Sequence, residues 1–160
     1  MRHAGRCPAR LWRRRAPGAR GALSRPRYLL DTNICIYVRR RRPPAVLARF
    51  RSLQPGEAAI SVITYGELRY GTEKSVDRER ALDLLDRLAT LLPVLPLPQT
   101  AGETYGAIRA DLERRGQIIG NNDLWIAAHA LAAGLILATN NRREFARIDG
   151  LQLADWVDGG

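Results

Sequence analysis

Four short, largely apolar runs, Arg27-Tyr28-Leu29-Leu30-Asp31, Ala58-Ala59-Ile60-Ser61, Val94-Leu95-Pro96-Leu97 and Leu135-Ile136-Leu137-Ala138, cross the chain. Runs of this length, bounded by polar or turn residues, predict strands buried on both faces. Between them, apolar residues recur at three-and-four spacing, which predicts helices. Helices are expected over 32–40 (Ile34, Tyr37 and Val38 inward), 44–53 (Val46, Leu47, Phe50) and 62 to about 72 (Ile63, Leu68). A long helix capped by Ser75 carries Ala81, Leu84, Leu85, Leu88 and Leu92, and another carries Ala101, Tyr105, Ile108 and Leu112. Asp123 is expected to open a helix that is apolar almost all round and ends at Gly134, which marks it as buried. A helical turn over 142–145 and a fifth strand over 151–153 complete the series. Pro96 places the third strand at a sheet edge. The alternation predicts an α/β fold: an open parallel sheet of four to five strands with helices on both faces.

Charge changes the picture at one end only. The formal net charge is +10, yet the first 27 residues hold nine arginines and no acid. The remaining chain has 17 basic against 16 acidic side chains, so the folded part is nearly neutral. Binding to a polyanion must then use local patches rather than a global field. Residues 1–26, rich in Arg, Ala, Gly and Pro, lack apolar periodicity and are expected to be a disordered extension. They have no continuous apolar h-region, so no secretory signal is read there. A translation start set too far upstream is the expected origin. Cys7 and Cys35 are the only cysteines; they form no zinc spacing and no disulfide framework.

Most of the 16 acids fall on polar helix faces. Three do not. Asp31 directly follows the first strand, Glu67 lies in the helix after the second, and Asp123 starts the buried helix. Each has an ordinary reading: Asp31 as an N-cap, Asp123 as an acid at a helix start, Glu67 as a partly exposed helix residue. Together they need a partner, because a lone buried carboxylate costs several kcal/mol. No Lys or Arg stands beside Asp31 or Asp123, and Lys74 is the only lysine. Oxygen donors without a His or Cys cluster select Mg²⁺ or Mn²⁺ over zinc. Asn141, after the fourth strand, can add a neutral oxygen. His129 reads as a hydrogen-bonded core residue.

The segments Leu30-Asp31-Thr32-Asn33, Ser61-Val62-Ile63-Thr64 with Glu67-Leu68, Asn122-Asp123-Leu124-Trp125-Ile126-Ala127-Ala128-His129, and Thr139-Asn140-Asn141 with Arg143-Glu144-Phe145 follow the order found in PIN-domain nucleases. Over about 27–157 the chain resembles these, and among them the VapC-type toxins of bacterial toxin–antitoxin pairs, in the group that cuts initiator tRNA. The resemblance implies a cytoplasmic, Mg²⁺-dependent endoribonuclease (Mn²⁺ is the other candidate). It also implies RNA, of the tRNA kind, as substrate, a VapB-type antitoxin as inhibitor, and a homodimer. Carried over residue by residue, Asp31 and Asp123 bind the metal and Glu67 is the supporting catalytic acid. Asn141 stands where many PIN domains have a fourth acid. An acidic site repels RNA, so arginines must hold the backbone; Arg39, Arg40, Arg114, Arg115 and Arg142 are the candidates. The rival readings are a PIN nuclease of RNA processing without an antitoxin, and a metal- or phosphate-binding module that cuts nothing.

Overall fold

The computed structural model describes residues 24–158. Residues 1–23 of the expected extension, Cys7 among them, lie outside the described residues. The elements run β1 (Tyr28–Leu30), α1 (Thr32–Arg40), α2 (Pro44–Ser52), β2 (Ala58–Ser61), α3 (Val62–Glu73), α4 (Arg78–Leu91), β3 (Val94–Leu95), α5 (Gln99–Arg114), α6 (Asn121–Ala133), β4 (Ile136–Ala138), α7 (Arg142–Phe145) and β5 (Leu153–Ala154).

All strand pairs are parallel and the sheet order is β3-β2-β1-β4-β5. β1 is central, which is why Tyr28, Leu29 and Leu30 are all buried. β3 is the edge strand that Pro96 foreshadows. Alternate residues of β1 serve opposite faces. Tyr28 and Leu30 pack with Ile34, Val46, Phe50 and Leu85, while Leu29 packs with Leu112, Ile126, Leu137 and Phe145. Helices therefore cover both faces.

Two helix starts differ from the sequence expectation. Asp77, not Ser75, caps α4: its carboxylate accepts the Arg80 N–H at 3.1 Å, and Ser75 instead donates to the Asp77 carbonyl. α6 begins at Asn121 with Gly120 as its N-cap, so Asp123 is the third helical residue rather than the first. Its end is as expected: Gly134 takes φ 65°, the left-handed conformation that glycine adopts without steric cost. β5 is shifted to Leu153–Ala154, where Leu137 and Ala138 supply its partners. Among the described residues no helix is long and apolar enough to cross a membrane.

Strand order reverses between β1 and β4. In open parallel sheets that reversal opens a crevice beyond the carboxyl ends of the two strands. Here the crevice is bounded by Asp31, after β1, and Thr139, after β4. The Asp31 N–H donates to the Ala138 carbonyl at 2.9 Å, so the two strand ends are tied together at this point.

Candidate active site

Asp31 both caps a helix and faces the crevice. Its Oδ1 accepts the Thr32 N–H at 2.6 Å, and its Oδ2 accepts the Thr139 hydroxyl at 2.8 Å. It is only 4% exposed. A carboxylate has about four lone-pair sites, so two bonds leave capacity for another ligand. Burial raises its pKa above the ordinary value, against the lowering effect of the Thr139 and Thr32 bonds.

Two chains of hydrogen bonds extend from this residue and its neighbour. On one side the Thr32 hydroxyl donates to Glu67 Oε2, and the Asn122 amide donates to Glu67 Oε1 at 3.1 Å. On the other, the Asn141 N–H donates to Thr139 Oγ1 at 2.9 Å, and the Asn141 side-chain amide donates to Glu144 Oε2 at 3.1 Å. Asp123 lies in the first turn of α6. Burial raises its pKa to about 6, with further upward contributions from Asp31, Glu144 and Glu67. Asp123 thus feels three other acids, each from a different segment, and no salt bridge to any of the four occurs among the described residues.

Glu67, Asn121, Asn122 and Asp123 line a cleft of about 340 Å³ with Gly120 at its edge. A Cβ at Gly120 would lie 3.4 Å from Asp123 Oδ2; bare backbone keeps that oxygen accessible. The first turns of α1 and α6 both open here, and the positive ends of their dipoles favour carboxylates. His129 is buried, and its Nδ1 lies 2.9 Å from Ser61 Oγ, which also caps α3 by accepting the Ile63 N–H. Burial lowers the His129 pKa, which keeps the ring neutral. The Ser61–His129 contact ties the helix bearing Glu67 to the helix bearing Asp123.

The donors suit a hard divalent cation: they are all oxygen, and they repel one another without one. No three Asp, Glu, His or Cys side chains among the described residues close tightly enough to clasp an ion unaided.

Of the four positions singled out in the sequence, Glu67 and Asp123 line the cleft, Asp31 is joined to Glu67 through Thr32, and Asn141 is joined to Asp31 through Thr139. The arginines do not behave alike. Arg39, Arg40 and Arg142 are exposed and make no ion pair among the described residues. Arg114 and Arg115 are paired with Asp111, and Arg115 also donates to the Arg147 carbonyl. Glu144 appears within the fourth sequence motif with no role attached to it: Asn141 draws attention to itself, and the acid it holds lies three residues on. Asn141 holds that acid through its side-chain amide.

A crevice at the strand-order reversal of a parallel α/β sheet, lined by acids, is the architecture of a PIN-type nuclease domain. A PIN-domain family model matches residues 28–151. Ribonuclease VapC2 of Haemophilus influenzae is 44% identical over 131 residues, covering 82% of this chain and 98% of its own. The tRNA(fMet)-specific endonuclease VapC of Shigella flexneri is 43% identical, covering 81% and 98%. The crystal structure of DNA-bound VapBC from Salmonella typhimurium superposes with a TM-score of 0.77 at 41% identity, covering 82% of this chain and 98% of that one. The chain belongs to the VapC ribonucleases of the PIN-domain family.

Proposed function

We propose that this chain is the toxin of a VapBC-type pair, a divalent-cation-dependent endoribonuclease that hydrolyses phosphodiester bonds of tRNA at the Asp31–Glu67–Asp123 crevice. The observation that carries this reading is that Thr32 bridges Asp31 and Glu67 while Asp123 feels Asp31, Glu144 and Glu67, with no ion pair to any of these acids among the described residues. Asp31 and Asp123 would hold the ion, and Mg²⁺ is the proposed species. A cation bound there supplies Lewis acidity and neutralises charge developing on the phosphoryl group.

The remaining work falls to side chains. Glu67 accepts a proton from the attacking water, and its bonds from Thr32 and Asn122 fix its orientation for that task. The water oxygen forms a bond to phosphorus as the bond to the leaving ribose oxygen breaks, and that oxygen takes up a proton. Asn141 and Glu144 support the opposite side of the crevice. Arg39, Arg40 and Arg142 attract the RNA backbone, whereas Arg114 and Arg115 are already engaged by Asp111.

Relatives named tRNA(fMet)-specific endonucleases, at 43% and 42% identity, support initiator tRNA as the substrate. Structural neighbours crystallised as VapBC complexes support a VapB-like antitoxin as the partner, and the cytoplasm as the place of action. The test is to incubate the purified chain with total tRNA in Mg²⁺, with and without a chelator, and to map the ends. Discrete cuts that vanish with chelator, and with Asp31→Asn, are expected. Undiminished cutting by Asp31→Asn would remove the acids from the mechanism.

A further inference from the structure

Helix α1 begins at the acid crevice and ends at a second cavity. Nine residues separate Asp31 from Arg40, about 14 Å along a helix. At that far end Arg40, Arg41 and Arg42, with Tyr37, two prolines and Val157, line a cavity of about 760 Å³. The volume lies within the range of small-molecule sites, and no acid is among the lining residues. The two cavities are linked. The Asn140 amide, from the segment that follows β4, donates to the Tyr37 hydroxyl at 3.1 Å, so the inner wall of the second cavity is bonded to the rim of the first.

On α3, α4 and α5, Arg69, Arg78, Arg87, Arg109, Arg114 and Arg115 each face a carboxylate. Arg40 and Arg42 belong with Arg80, Arg142 and Arg143, which make no ion pair among the described residues, rather than with the arginines neutralised on the outer helix faces. Complementing the α1 dipole accounts for Arg39 and Arg40 in the last turn, but not for Arg42, which lies beyond it. Between Arg40 and Arg42, Arg41 sits at φ 57°, a helix-ending conformation that glycine usually fills.

We propose that this cavity is a nucleotide subsite for the RNA strand whose scissile bond lies at the acids. Arg40 and Arg42 hold phosphate oxygens, and an unpaired base lies against Tyr37 and Pro43. The proposal rests on the ribonuclease reading and adds a direction: the strand leaves the crevice over Asn140 and follows α1. A single-stranded polyanion fits better than an acidic peptide, because it presents regularly spaced charge and a flat apolar face, and because the acid crevice already requires its phosphate next door. Sequence-specific RNA recognition commonly uses such splayed bases.

The test measures binding of a labelled tRNA anticodon stem-loop by the full-length chain in excess chelator, so that nothing is cut, across a range of salt concentrations. Each phosphate contact on single-stranded nucleic acid contributes about 0.7 to the slope of log affinity against log salt. The Arg40→Ala/Arg42→Ala variant should therefore bind with a slope shallower by about 1.4. The N-terminal arginines contribute equally to wild type and variant and cancel in the difference. Tyr37→Leu should weaken binding at least about fivefold with the slope unchanged, and Tyr37→Phe should restore it, because stacking needs the ring. Arg51→Ala, an exposed arginine on α2 outside the cavity, is the control for loss of charge alone. An unchanged slope in the double variant, or a change per arginine no larger than that of Arg51→Ala, overturns the subsite. So does a double variant that binds RNA normally but no longer binds a VapB-type antitoxin, since the cavity would then serve a protein. If the wild-type chain neither binds nor cuts tRNA, the ribonuclease reading itself fails.

Discussion

On the outer faces of α3, α4 and α5, carboxylates and guanidinium groups meet in pairs: Arg69 with Glu73 at 3.1 Å, Asp83 with Arg87 at 2.9 Å, Arg109 with Glu113 at 2.8 Å. At the carboxyl edge of the sheet, Asp123 feels Asp31, Glu144 and Glu67, and none of the four makes an ion pair among the described residues. The residue types are the same, but the first region is locally neutral in open solvent and the second concentrates one sign of charge in a partly buried crevice. Exposed pairs contribute little because water already screens them. Uncompensated buried carboxylates raise the energy of the ligand-free fold and favour whatever neutralises them. The comparison separates charges that decorate the fold from charges that await a ligand.

The largest break in the comparison should appear in activity. Glu67→Gln keeps the size and one acceptor oxygen but loses the base, and tRNA cleavage should fall ~10²–10⁴-fold. Asp31→Asn should abolish it, with an unchanged circular dichroism spectrum, since the amide oxygen can still accept the Thr32 N–H that caps α1. Retained cleavage in both variants would mean that the crevice is no reaction centre.

Next in size is the effect of Mg²⁺ on melting. A ligand at 100 times its Kd stabilises by about 2.7 kcal/mol, which for a domain of this length is a rise of about 5–10 °C. The rise should occur in the wild-type chain and be absent from Asp31→Asn and Asp123→Asn. An equal rise in all three would place the ion elsewhere, for example on a surface pair.

A smaller effect has the opposite sign. In chelator, the Asp123 pKa of about 6 stands above its ordinary 3.8. The stability this contributes is fully present below pH 3.8 and is lost as pH rises through 6. Asp123→Asn escapes that loss. At pH 7 it should therefore be more stable than wild type by about 1 kcal/mol, after allowance for solvent screening of a half-exposed group. The gain should shrink to nothing near pH 4. A variant less stable than wild type at pH 7 without metal would show that Asp123 is held by favourable contacts, and the contrast between the two regions would weaken.

How far these regions can be told apart from sequence depends on distance along the chain. The exposed pairs are legible because Asp83 and Arg87 are four residues apart, one helical turn. The strands are legible because central parallel strands are apolar on both faces, and Pro96 marks the edge. Asp31 and Asp123 are visible because each interrupts an apolar context. Glu144 is not, since it sits beside Arg142 and Arg143 in a short polar turn and looks like a surface acid. Its place in the crevice follows from a long-range closure, β4 beside β1, and from the Asn141 amide that holds it. The start of α6 was equally hidden. Gly120 caps it through backbone conformation alone, whereas Asp123 carries the residue type that capping favours. An acid placed by tertiary closure shows in the sequence where it interrupts an apolar context, as Asp31 and Asp123 do, and is hidden where its neighbours are polar, as Glu144 is.

The smallest predicted effect closes the comparison from its neutral side. Asp83→Ala removes the acid from an exposed i,i+4 pair with Arg87. Such pairs contribute about 0.3–0.5 kcal/mol, and Ala gains some helix propensity in return. The melting temperature should move by no more than about 2 °C, and cleavage of tRNA should be unaffected, because α4 packs on the sheet through Leu85 and Leu88, on the opposite side of the helix from the pair. The Debye length falls from about 10 Å at 0.1 M salt to 3 Å at 1 M, so any stability difference from wild type should disappear at high salt. The Asp123→Asn gain should persist there in part, because its carboxyl is partly buried and its neighbours face it across a crevice rather than across open water. If salt erased both differences equally, the crevice would be as well solvated as the helix surface, and the acids there would have no special claim on a cation.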